Sequence, residues 1–215
     1  MNPVAILGGT FDPVHYGHLR LAADVRAALH LPEVRLVPAA DPPHRGRTQA
    51  SSADRVAMLE LAVREFPGLA IDLREIERGG KSYTVDTLAG LRAEGRERPI
   101  ALLVGADAFR GFPSWHRWTE LFALAHVVVV PRPGVLLTQD LPVALEHEWR
   151  ARLTADPQAL RERTAGTIYV QPVSAQPISA SEIRAALARG ARPVEIAGLL
   201  PAAVLAYIES KHLYR

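Results

Sequence analysis

The sequence predicts an α/β fold, a Rossmann-like, doubly wound and mainly parallel sheet, and three observations carry that prediction. Short apolar runs alternate along the chain with stretches of helical periodicity. Polar clusters follow the apolar runs, at the carboxyl ends of the expected strands, where ligands gather in such sheets. The 215 residues suffice for one substantial core, so a single domain over 1–215 is expected, with closing helices from about 179.

The elements follow in order. Pro3-Val4-Ala5-Ile6-Leu7 reads as a short buried strand, and 17–29 has helical periodicity. Val34–Pro38 is the second strand, and a helix over 52–66 takes Ser52 or Asp54 as its cap. Leu69–Leu73 is the third strand, followed by a helix over 84–95 opened by Thr84 or Asp86. Ile100–Val104 and His126–Val130 are the next strands, with a helix over 118–124 between them. The segment 131–142 is the least regular, with three prolines and Gly134; a helix over 143–163 follows. Thr167–Val170 is the last strand. Helices over 179–188 and 201–210 close the chain, the first ended by Arg189-Gly190-Ala191-Arg192-Pro193.

Composition narrows the class. Hydrophobic content is 48% and charged content 22%, near the soluble average. No apolar run has the length of a bilayer span, and no basic-then-apolar leader opens the sequence; a cytoplasmic protein without membrane contact is expected. With no cysteine, disulfides, thiolate metal sites and cysteine nucleophiles are excluded. The net charge is only +2 and the basic groups are dispersed, so no nucleic-acid surface is expected. His30, His126, His147 and His212 lack metal-ligand spacing and read as structural or surface groups, and no protein-held metal site is expected. Glu146, Glu148, Arg150 and Arg152 read as a solvated helix face.

The most informative stretch is Gly8-Gly9-Thr10-Phe11-Asp12-Pro13-Val14-His15-Tyr16-Gly17-His18, a strand, a glycine-rich turn and a helix start. His15 and His18 have the i, i+3 spacing that puts two side chains on one helix face. The amides of a helix N-terminus favour an anion, and glycine lets a phosphate approach the backbone. The chemistry is that of a polyphosphate site with two imidazole donors. It is neither a Walker A loop nor a dinucleotide fingerprint, since GxxxxGK[ST] and GxGxxG are both absent from it.

GGTFDPVHYGH resembles the GxFDPxHxGH segment of the nucleotidyltransferases related to class I aminoacyl-tRNA synthetases, the T/HxGH type. Ile178-Ser179-Ala180-Ser181-Glu182-Ile183-Arg184 resembles the ISSTxIR segment of the same superfamily, with Ala180 and Ser181 where serine and threonine are usual. Pro42-Pro43-His44-Arg45 resembles the PPHK loop of its nicotinate mononucleotide branch, with Arg45 in place of lysine. Lys81-Ser82-Tyr83-Thr84-Val85-Asp86-Thr87-Leu88, Gly105-Ala106-Asp107 and Phe112-Pro113-Ser114-Trp115-His116-Arg117-Trp118 resemble further segments of that branch, and Leu199–Ile208 resembles its ending.

The resemblance implies transfer of the adenylyl group of ATP to nicotinate mononucleotide, giving deamido-NAD and pyrophosphate, with Mg2+ accompanying ATP. It implies His15, His18 and Arg184 as catalytic groups. Gly8, Gly9, Thr10, Phe11, Gly105, Asp107, Ile178, Ser179 and Ser181 would join them around ATP. His44, Arg45, Tyr83, Thr84, Trp115 and Arg132 would meet the mononucleotide. From spacing alone Trp115 is equally a core residue or a ring-stacking one, and the resemblance favours stacking; Trp118 reads as core, and the roles of His116 and Arg117 stay open. The alternatives are a sibling transferase with another acceptor, phosphopantetheine or nicotinamide mononucleotide, and a nucleotide sensor without catalysis. Self-association is left open.

Overall fold

The structure is a computed structural model that describes residues 3–41, 48–131, 141–173 and 178–215. Its strands are β1 (Val4–Gly9), β2 (Val34–Pro38), β3 (Leu69–Ile71), β4 (Ile100–Gly105), β5 (His126–Val130), β6 (Leu153–Thr154) and β7 (Ile168–Val170). All pair in parallel, in the order β3-β2-β1-β4-β5-β7-β6. The order reverses between β1 and β4, so the crevice beyond the carboxyl ends of these two strands is the expected ligand position.

The strands are apolar throughout because helices cover both faces of the sheet. Successive side chains point to opposite faces. Ala5, Leu7, Leu36, Leu103 and Val128 enter one core, against α1 (Tyr16–Ala28), α2 (Ser52–Val63), α9 (Ala180–Ala188), α10 (Pro193–Ile196) and α11 (Ala202–Ser210). Val4, Ile6, Leu102, Val104 and Val129 enter the other. There they meet α4 (Thr84–Glu94), α5 (Ala106–Arg110), α6 (Leu121–Leu124) and α7 (Val143–Arg152). The remaining helices, α3 (Arg74–Arg78) and α8 (Ala159–Glu162), are short. Among the described residues no helix is long and apolar enough to cross a membrane.

The structure confirms the α/β class and corrects several boundaries. Gly8 and Gly9 belong to β1, paired with Val37 and Pro38, so the turn starts at Thr10 rather than at the glycines. Ser51, not Ser52 or Asp54, caps α2, its hydroxyl accepting from the Asp54 amide at 3.1 Å. The helix expected over 143–163 is interrupted. Leu153 and Thr154 pair with Ile168 and Tyr169 as β6, and the Thr154 and Asp156 side chains then accept from the amides of Asp156 and Gln158. These local bonds compete with the helical ones, and Pro157 has no amide to continue the ladder. The face of α7 is not wholly solvated: Arg152 lies 5.0 Å from the centre of the Phe122 ring and bonds the Gly166 carbonyl. The short α3, α5 and α10 had no periodicity long enough to be read. Of the four remaining histidines, His126 is buried and structural: Nε2 faces the Arg163 carbonyl at 2.9 Å, and Nδ1 accepts from the Thr167 amide.

Candidate active site

β1 delivers the chain to the sheet edge, and the turn after it is tightly determined. Phe11 takes a left-handed backbone (φ 50°), and the Asp12–Pro13 bond is cis. The Phe11 side chain is buried, so this residue presents only its backbone at the end of the strand. A Cβ on Gly9 would lie 3.0 Å from the Phe11 ring, so glycine there leaves room for the ring to fold back.

His15 takes the N-cap position of α1, in extended conformation. Its ring stacks on that of His18, centroids 3.7 Å apart and planes at 26°, and Phe11 meets His18 edge-on at 5.0 Å. The expected convergence of the two imidazoles is therefore realised. Gly17 makes it geometrically allowed: a Cβ there would lie 2.9 Å from the His15 ring and 3.4 Å from Cβ of Ile178. Burial lowers the His15 pKa to about 4, so the ring is neutral at neutral pH. Its buried Nδ1 has no hydrogen-bond partner among the described residues. The expectation of open helix amides needs correction, because the Tyr16 N–H donates to the Leu199 carbonyl and the His18 N–H to the His15 carbonyl. These two amides of the first turn are therefore already engaged within the protein.

Asp12 is the centre of the surrounding network, and sequence reasoning did not single it out. Its carboxylate accepts from the amides of Gln49 (2.8 Å) and Ala50 (3.1 Å) and from the Tyr214 hydroxyl (2.7 Å). Its carbonyl accepts from Arg184 Nη1 at 2.7 Å, 172 positions away in sequence. Arg184 Nη2 also donates to Ser181 Oγ at 3.2 Å. The ISASEIR segment thus reaches the HxGH turn, with Ile178 against Gly17 and Arg184 against Asp12. Ser179 stands at the N-cap of α9 without a side-chain cap bond. Arg55 is a second residue missed in the sequence. Fully buried, it donates to the Thr10 carbonyl (2.7 Å), the Ser52 hydroxyl and the Ala40 carbonyl. A buried arginine in α2 and a lone tyrosine in the turn after α11 carry no sequence pattern that announces them.

β4 ends at Gly105, where a Cβ would meet open space, and Asp107 lies in the first turn of α5, exposed and 3.5 Å from Arg110. On the other side of the crevice the Lys81–Thr84 segment docks on the chain after β2. The Lys81 backbone forms an isolated parallel bridge with that of Asp41, the Ser82 amide donates to the Asp41 carbonyl, and Ser82 Oγ accepts from the Ala40 amide. Tyr83 is the N-cap of α4 and Thr84 its first residue, with no side-chain cap. The Tyr83 ring lies 4.3 Å from that of His116. Arg117, also in a left-handed backbone, pairs with Glu120 and lies 3.8 Å from Asp86. Trp115 is half-buried and packs on Phe112 at 4.7 Å, and Trp118, expected in the core, is half-buried as well and packs against it on Phe122. The structure therefore brings Tyr83 and His116 together and keeps one side of Trp115 on the core. His44, Arg45 and Arg132 lie outside the described residues.

Chemically, the crevice pairs two stacked imidazoles with a guanidinium, a donor set suited to phosphate oxygens. Among the described residues no group of three or more His, Asp or Glu side chains is arranged to hold a metal ion.

Comparison with known proteins gives a consistent result. The cytidylyltransferase-like family matches residues 6–186. A protein of Halorhodospira halophila named probable nicotinate-nucleotide adenylyltransferase is 48% identical over 204 residues, 95% of this chain and 91% of its own. One of Methylococcus capsulatus with the same name is 44% identical over 214 residues, 98% of this chain and 99% of its own. Among solved structures, Plasmodium falciparum nicotinic acid mononucleotide adenylyltransferase complexed with NaAD matches with a TM-score of 0.74 at 17% identity. That match covers 100% of this chain and 98% of that one, a likeness of fold.

Proposed function

The chain belongs to the cytidylyltransferase-like proteins and, within them, to the nicotinate-nucleotide adenylyltransferase family, and from that membership we propose that it transfers the adenylyl group of ATP to nicotinate mononucleotide. The products are nicotinate adenine dinucleotide and pyrophosphate, a step of NAD biosynthesis. The observation that carries this reading is the stacked His15–His18 pair on the turn to which Arg184, from the far end of the chain, is tied through the Asp12 carbonyl.

A phosphate oxygen of the mononucleotide attacks the α-phosphorus of ATP. That new P–O bond forms as the bond from the α-phosphorus to the bridging oxygen breaks, and pyrophosphate leaves with the electron pair. No proton has to be removed from an ionised phosphate, so the protein's task is alignment and charge stabilisation. His18 and neutral His15 donate N–H bonds to the triphosphate. Arg184, with Ser181, holds the departing phosphates. Thr10, Phe11 and the Gly8-Gly9 strand end offer backbone to the nucleotide, Gly105 leaves room at the β4 edge, and Asp107 is an acceptor for ribose hydroxyls. Tyr83 and Thr84 present the open end of α4 to the pyridine carboxylate, with Trp115 against the ring. His44, Arg45 and Arg132 would complete the mononucleotide side. Magnesium would accompany the nucleotide substrate and supply charge neutralisation at its phosphates rather than sit in a cage of protein side chains.

The test is the fate of a label. With ATP labelled at the α-phosphorus, all label should appear in the dinucleotide and none in pyrophosphate or on the protein. Label trapped on the protein would contradict direct attack, and no dinucleotide at all would overturn the function.

A further inference from the structure

The turn that carries the imidazole pair is held by a buried network of which the chemistry above uses only the bond from Arg184 to the Asp12 carbonyl. Tyr214 is 7% exposed and its hydroxyl donates to Asp12 Oδ1 at 2.7 Å, across 202 positions of sequence. Asp12 is 5% exposed, and its carbonyl is the acceptor for Arg184. Arg55, with no exposed surface, fixes the preceding carbonyl of Thr10, and its charge acts on both Asp12 and Tyr214. Two non-glycine residues of this network have left-handed backbones, Phe11 (φ 50°) beside Asp12 and Tyr214 itself (φ 64°). Such conformations are unfavourable for residues with a Cβ and persist where the surroundings over-determine them. Burial and the bond to Asp12 raise the Tyr214 pKa, so the hydroxyl keeps its proton and remains a donor.

We propose that Tyr214 is a positioning residue for adenylyl transfer: through the carboxylate of Asp12 it fixes the carbonyl that aims Arg184 at the nucleotide. This rests on the adenylyltransferase reading for its kinetic consequence, but not for its effect on nucleotide binding. The carboxylate keeps its bonds to the Gln49 and Ala50 amides when the hydroxyl is removed. The effect should therefore fall on the ATP side, through Arg184, and spare the acceptor side.

The experiment is a double-mutant cycle of Tyr214→Phe and Arg184→Ala, with pyrophosphate release and the affinity for a non-hydrolysable ATP analogue as readouts. Tyr214→Phe should raise the ATP KM and the analogue Kd about fivefold and lower kcat several-fold, with the nicotinate mononucleotide KM within about twofold. In the Arg184→Ala background the same change should cost less than about twofold, because the residue it aims is gone. An unaltered ATP side would overturn the proposal, as would equal fold-losses in both backgrounds or equal losses on both substrates. If Tyr214→Phe does not fold by circular dichroism, Asp12→Asn is read in the same cycle and must give the same ATP-side signature; a uniform loss would overturn the proposal. A wild type without turnover would sink the functional reading alone, since analogue binding still reports on Tyr214.

Discussion

His15 and His18 stack with ring centroids 3.7 Å apart at the start of α1, and Gly17 between them has no Cβ to push the His15 ring away. Two cationic imidazoles at that distance would repel each other. Burial removes the conflict by holding His15 neutral, with a pKa of about 4.

That shift makes stability depend on pH. Below the ordinary histidine value of 6.5 the unfolded chain takes up a proton that folded His15 declines. Stability is therefore fully present above about pH 6.5 and falls as the pH drops towards 4, by on the order of 3 kcal/mol from this group. His126, its pKa also lowered by burial, acts in the same direction. Urea unfolding at pH 7.5 and pH 5 should show a larger acid loss in wild type than in His15→Asn; equal losses would contradict the assignment.

His18→Ala should lower kcat by about 10²–10³, the usual loss for one donor to developing phosphate charge, while the Tm shifts by a few degrees. A folded variant with near wild-type turnover would remove His18 from the mechanism.

Gly17→Ala tests the packing that brings the imidazoles together. Alanine favours a helix by about 1 kcal/mol over glycine, yet here its Cβ would sit 2.9 Å from the His15 ring and force it to move. We expect a net destabilisation of about 1–3 kcal/mol and at least a tenfold drop in kcat. An alanine variant that is both more stable and fully active would show that the ring has room to spare.

Much of this site was legible in the sequence because its residues lie in compact local patterns. The HxGH spacing, the helix start at Thr84 and the Ser181–Arg184 turn each occupy one stretch, and the alternation of elements put their strands in one sheet. The rest was not legible because it depends on long-range closure. Asp12 acquires its meaning only from Gln49, Ala50, Arg184 and Tyr214, none of them near it in sequence. Arg55 sits where helical periodicity asks for an apolar residue and pays its desolvation through main-chain carbonyls that sequence cannot locate. The interruption at 153–154 was hidden because two residues of strand pairing carry no period.

Arg184→Ala should raise the ATP KM about tenfold and lower kcat, because a guanidinium fixed by the Asp12 carbonyl and Ser181 is lost. Arg184→Lys should recover only part of this, since a point charge cannot hold Asp12 and a phosphate in the same fork. Steady-state kinetics with ATP varied decides it; full recovery by lysine would contradict fork recognition.

Selectivity for the acid over the amide should survive Trp115→Ala. The uncapped end of α4 at Tyr83 and Thr84 favours a carboxylate by its dipole and amides, whereas a ring stacked on Trp115 is the same in both substrates. The KM for each pyridine mononucleotide should rise several-fold while the ratio of kcat/KM changes by less than about threefold. Collapse of the ratio would move its origin from the backbone to Trp115.

The most direct measurement is pyrophosphate release by the purified protein with ATP and magnesium, comparing nicotinate mononucleotide, nicotinamide mononucleotide and phosphopantetheine as acceptors. Nicotinate mononucleotide should give the highest kcat/KM, at least about tenfold above the amide, in keeping with the cost of mispaired polar groups in a buried site. Preference for phosphopantetheine or the amide, or no release with any of the three, would contradict the account.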